Sequence, residues 1–116
     1  MASIQKKRFE KPDETSSPPN AKVEVVRMSG LTLTKTTLMP GWKWSKDIRP
    51  IAGTNSCQKH HIGYCMSGHV ATRLDNGEQM EFGPGDVFDI PPGHDGWVIG
   101  KEPVVFLEFG CPSASK

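Results

Sequence analysis

Gly and Pro recur so closely along this chain that a long helix has nowhere to form. The 116 residues include 12 glycines and 10 prolines, which fall singly or in pairs between short apolar runs. Pro fixes its own φ and lacks a backbone donor, while Gly takes the positive φ that other residues avoid. Few stretches of ten residues lack a turn former, and the runs between favour Val, Ile, Thr and aromatics. "GPGDVFDIPPG" shows the pattern in small: a strand-length apolar run closed at both ends by Gly/Pro corners.

Strands are expected wherever apolar residues alternate. "AKVEVVRM" sets Val23, Val25 and Arg27 against Glu24, Val26 and Met28, and "LTLTKTTL" alternates Leu31 and Leu33 with threonines. "PGWKWS" turns the chain and puts Trp42 and Trp44 on one face of the next strand. "DIRPIAGTNS" reads as a loop before a strand from about Gln58 to Met66. Asn76-Gly77 suits a type I′ hairpin turn, in which both central residues have positive φ. "HDGWVIG" and "VVFLEF" complete the series, and a short strand is expected around Lys7 to Phe9. About ten short strands with tight corners make an all-β barrel or sandwich.

The length permits one core. Residues 1–20 are expected to be extended or partly disordered, 21–112 to form the barrel and 113–116 to fray. Lys and Arg number 14 against 13 Asp and Glu, without a basic stripe, which argues against a nucleic-acid partner. The apolar runs fall far short of the roughly 20 residues of a membrane helix, and the N-terminus lacks the apolar core of a secretory signal. Three cysteines do not make a disulfide framework, so reduced thiols and a cytoplasmic location are expected, with Cys65 and Cys111 as core thiols.

The chemistry concentrates in "KHHIGYCMSG" and "IPPGHDGW". Adjacent strand residues point to opposite faces, so only one of His60 and His61 can face a given side. Asp86 and Asp95 are expected to bond backbone amides at their turns, with a base role for Asp95 as the alternative. No serine elbow, phosphate loop or dinucleotide fingerprint occurs, and no nucleophilic constellation is visible.

From "PGW-W" to "PPGHD-WV-G-EPV", about Trp42 to Phe109, the sequence resembles the small single-domain bacterial cupins. Gly85, Pro91 and Gly93 occupy their places in the second cupin motif, and Gly68 is the final glycine of the first. The resemblance implies a double-stranded β-helix, or jelly roll, of the kind that often pairs as a homodimer. It also shows that the ligand positions have changed. The glutamate place falls on His61, the two histidine places of the first motif fall on Asn55 and Cys57 or on Thr54 and Ser56, and that of the second falls on Gly96. The family's glutamate points into the barrel, so His61 should too, and His94 shares the parity of Gly96.

Cys57, His61 and His94 are therefore the expected metal ligands, with His60 replacing His61 if a bulge or a different register inverts the parity. Imidazole and thiolate suit a divalent zinc, nickel or iron ion with water completing the shell. Trp44, Tyr64 and Trp97 are the candidate pocket aromatics, and Ile62, Tyr64 and Met66 form an outward apolar stripe suited to a second copy. The expected function is a metal-binding cupin holding a small organic ligand, with the metal as Lewis acid or oxygen activator. The alternative is a non-catalytic ligand-binding or sensory cupin dimer without a metal.

Overall fold

The computed structural model describes residues 3–110. In chain order the strands are β1 (Glu14–Ser16), β2 (Ala21–Arg27), β3 (Thr32–Leu38), β4 (His61–Ser67), β5 (His69–Leu74), β6 (Gln79–Phe82), β7 (Val87–Ile90), β8 (His94–Ile99) and β9 (Val104–Gly110). They build a six-stranded sheet in the order β1-β2-β3-β9-β4-β7 and a three-stranded sheet in the order β6-β5-β8. Every strand pairing is antiparallel. The result is the expected jelly roll.

Alternation decides what faces the hollow between the sheets. On β9, Val104, Phe106 and Glu108 pair with Leu38, Thr36 and Thr34 of β3, and Phe106 and Glu108 pair with Cys65 and Gly63 of β4. These residues share the inner face. Leu38, Cys65 and Val104 form the buried cluster, flanked by Trp42, Val70 and Phe106. Val104 is wholly buried, and burying such a side chain stabilises by about 1.5–3 kcal/mol. Gly63 is required by contact: a Cβ there would run into the Leu107 carbonyl oxygen and lie 2.8 Å from the Phe88 ring.

Four local expectations are corrected. Residues Lys7 to Phe9 form no strand; the pairing strand is β1, within the polar, Pro-rich segment. Pro12 and Pro18 flank β1 rather than interrupt it, so its ladder to β2 loses no donor. Trp44 opens a one-turn helix, α1 (Trp44–Asp47), followed by α2 (Arg49–Ala52), where a strand and a loop were expected. Pro50 stands in the first turn of α2 and Gly53 closes it in the left-handed conformation at φ 75°, a start and stop too close together to read as helix by periodicity. Strand β4 begins at His61, leaving Gln58 to His60 irregular.

The hairpin after β5 is also not type I′, because of its two central residues only Gly77 has positive φ. Gly77 N–H bonds Leu74 O, and Asn76 Oδ1 accepts from Glu78 N–H at 2.9 Å. This is a type I turn closed by a left-handed Gly, the usual three-residue solution. Asp86 behaves as a corner carboxylate, accepting from Gly83 N–H at 2.8 Å. Cys65 is buried within the core cluster, whereas Cys111 and the 113–116 tail lie outside the described residues. Among the described residues no helix is long and apolar enough to cross a membrane.

Candidate metal centre

Cys57 lies just ahead of β4, but its backbone is tied to the other sheet. Its N–H bonds His94 O at 2.7 Å, and its carbonyl accepts from Gly93 N–H at 2.7 Å. His94 opens β8 after the Pro-Pro-Gly corner, and His61 opens β4 on the opposite sheet. One donor atom from each of Cys57, His61 and His94 lies within 4.8 Å of the other two. The two imidazoles meet edge to face, with ring centroids 5.0 Å apart.

Second partners fix which nitrogen each ring offers. His94 Nδ1 sits 2.7 Å from the Pro91 carbonyl, so it donates there and Nε2 keeps the lone pair. His61 Nδ1 bonds Glu108 Oε1, which directs Nε2 toward Cys57 Sγ at 3.6 Å. A ligating histidine characteristically gives its second N–H to a carboxylate or carbonyl, and both rings here do so. Lys59 adds an ammonium 3.7 Å from the other Glu108 oxygen.

The charges follow from these contacts. Burial resists ionisation of Cys57, but hydrogen bonds from His61, His94 and the Lys59 backbone outweigh it and lower the thiol to about 6. Burial likewise works against a charged His61, yet Cys57 and Glu108 raise it to about 9. Burial would lift Glu108, whereas His61 and Lys59 hold its carboxyl below the ordinary range. Near neutrality the metal-free centre is therefore a thiolate–imidazolium pair backed by a carboxylate. No nucleophilic constellation was expected from the sequence; the fold brings Cys57 Sγ, the His61 ring and the Glu108 carboxylate into one hydrogen-bonded row.

The donors border a cavity of about 490 Å³, within the range of small-molecule sites. Trp42, Trp44, Phe82, Phe88, Ile90 and Phe106 supply much of its wall. Trp44 thus lines the cavity, but Tyr64 and Trp97 do not. Tyr64 belongs to the outward face of β4, 38% exposed. Trp97 has outward parity on β8, with Lys43 and Arg73 5.5 and 5.7 Å from its ring. His60 is likewise outside the donor group: no inversion of parity occurs, and its Nε2 bonds Asp89 2.6 Å away on the exposed surface. Asp95 does not serve its own turn: from within β8 it accepts from Ser45 N–H in the first turn of α1 at 3.0 Å and from Gly96 N–H at 2.9 Å.

Glu108 and Lys59 were not singled out from the sequence. Glu108 does carry a signal, as a lone carboxylate on the buried face of "VVFLEF", because a buried charge requires a partner. At Gly96, where the cupin pattern places a histidine, a Cβ would lie 3.8 Å from the Trp42 ring.

No family model matches the sequence, and no curated protein is significantly similar to it. Solved structures do match. The polyketide cyclase RemF from Streptomyces resistomycificus superposes with a TM-score of 0.66 at 17% identity, over 98% of this chain and 83% of that one. KdgF from Halomonas sp. gives 0.58 at 21% identity, over 85% and 86%. Oxalate decarboxylase from Lactobacillus farciminis, solved with formate, gives 0.60 at 21% identity over 83% of this chain, which spans only 30% of that larger protein. At such identities the likeness concerns the fold.

Proposed function

Taking as its premise that the chain has the fold of a small cupin, we propose that it is a mononuclear metal protein whose cavity receives a small organic ligand. Cys57 Sγ, His61 Nε2 and His94 Nε2 would hold the ion. The observation that carries this reading is the convergence of three donor atoms within 4.8 Å, with both imidazoles oriented by acceptors at Nδ1. A thiolate and two imidazoles favour zinc among the divalent candidates nickel, iron and zinc, and three protein ligands leave a position open. A bound ion would supply Lewis acidity to a ligand oxygen. The chain's own part is to orient the rings through Glu108 and Pro91, retain the thiolate and surround the open position with apolar walls.

Elemental analysis of purified protein tests the assignment, with one zinc per chain expected and Cys57→Ser and His94→Ala each losing it. Protein that neither carries nor takes up zinc, nickel or iron(II) would refute it.

The 3.6 Å Cys57–His61 approach also supports a second reading, a metal-free cysteine nucleophile with His61 as base and Glu108 as orienter. Rapid alkylation of Cys57 in protein incapable of metal uptake would favour it. A non-catalytic ligand-binding or sensory role without a metal is the remaining alternative, and protein that takes up no ion yet binds small organic molecules without reacting on them would select it.

A further inference from the structure

The cavity behind the donors is built for a particular shape of molecule. Inward positions on β8 run His94, Gly96, Val98, and those facing them on β5 run Leu74, Thr72, Val70. Val70 therefore stands four residues along the strand from the level of His94, about 13 Å at roughly 3.3 Å per residue. Over that depth the wall is mainly aromatic and aliphatic, and Thr34, Thr36 and Thr72 contribute hydroxyls. The volume of about 490 Å³ falls within the roughly 300–1,000 Å³ of small-molecule sites, enough for a body of two fused rings and a head group.

Charge at the donor end selects the head. A divalent ion meets one thiolate and one carboxylate, and the Lys59 ammonium stands 3.7 Å from that carboxylate. With both imidazoles neutral, one positive charge remains uncompensated at the open position. Without the ion, the Glu108 carboxylate faces the Lys59 ammonium, and the Cys57–His61 pair sums to zero wherever its shared proton sits, leaving none.

We propose that the cavity takes an amphiphilic monoanion, a flat apolar or aromatic body carrying a single carboxylate or enolate oxygen head, with the head at the metal and the body reaching toward Val70. The choice of head rests on the metal reading above; the choice of body rests on the cavity alone.

Calorimetry on the full chain, with and without zinc, separates the two. The probes are 2-naphthoate, its neutral analogue 2-naphthylmethanol, and gluconate as a polar monoanion. Zinc-loaded protein is expected to bind naphthoate at least about tenfold more tightly than either other probe, a gap of roughly one decade in Kd. Metal-free protein is expected to bind naphthoate and naphthylmethanol about equally, and gluconate more weakly than both. Val70→Phe fills the cavity four residues from the level of His94 and should weaken naphthoate about tenfold while zinc stoichiometry is kept. Intermolecular nuclear Overhauser contacts between naphthoate and the Val70 methyls read the same depth in the unmodified protein. Gluconate binding as tightly as naphthoate, or naphthoate binding neither form, overturns the proposal. Failure to take up zinc refutes the metal reading and with it the anionic head, while the naphthoate–gluconate comparison on metal-free protein still decides the body.

Discussion

Glu108 offers the sharpest test of how the centre is held. Glu108 is 8% exposed, and its carboxylate accepts from His61 Nδ1 and lies beside Lys59. Glu108→Gln keeps an oxygen that can accept from Nδ1–H, so ring orientation survives and only the charge is lost. Glu108→Ala removes both and leaves the buried Nδ1–H without an acceptor. Removing such an outer partner costs 10- to 100-fold in metal affinity, or about 1.4 to 3 kcal/mol. The expected order is therefore about tenfold weaker zinc for the glutamine variant and about 100-fold for the alanine variant. Competition against a chromophoric zinc chelator measures the constants, and circular dichroism confirms that each variant is folded. If both folded variants hold zinc within about twofold of the parent, His61 is not a ligand steadied by Glu108.

The pH dependence of zinc affinity follows from the same pair. Between about 6 and about 9 the metal-free site carries a thiolate and one excess proton on His61, which the ion must displace. Affinity should rise about tenfold per pH unit across that window, flatten above it, and fall more steeply below about 6, where Cys57 also gains a proton. A pH-independent constant between these limits would contradict the assignment. Metal-free Cys57 should react with iodoacetamide near pH 7, and zinc should protect it, whereas Cys65, raised by burial, should stay unmodified in folded protein; mass spectrometry of tryptic peptides reads both. His60→Ala should leave zinc affinity within about twofold, since the ring bonds surface Asp89, and a larger loss would place it back among the ligands. The outward stripe of Ile62, Tyr64 and Met66, 42%, 38% and 46% exposed, is proposed as a homodimer contact. Sedimentation should give twice the chain mass, falling to one mass in Tyr64→Glu; a monomeric parent protein refutes this.

Much of the fold was legible because Gly/Pro corners and period-two alternation are local signals. The inward side of β4 and β8 came from the cupin resemblance, which put His61 and His94 toward the barrel; alternation then turned His60 and Tyr64 outward, against the expectation that Tyr64 lines the pocket. What stayed hidden depended on partners distant in sequence. Glu108 lies 47 residues from His61, and nothing in "VVFLEF" says which ring it will meet. Trp44 was misplaced on a strand because the Asp47 carboxylate bonding Lys43 N–H, and the stop at Gly53, make helical turns too short to show a period. Trp97 suggested a pocket wall because apolar walls with a few convergent polar groups define most ligand sites, whereas its position one residue after inward Gly96 turns it to the outside.

His61 belongs to the six-stranded sheet, while His94 and the backbone of Cys57 are fastened to the three-stranded one. An ion at their meeting point would act as a rivet between two leaves that otherwise adhere through side-chain packing. Losing it should loosen the donor end of the roll before the Leu38–Cys65–Val104 cluster gives way. Hydrogen exchange on removing zinc should therefore quicken first at the amides of Cys57, His61 and His94, and last at Val104.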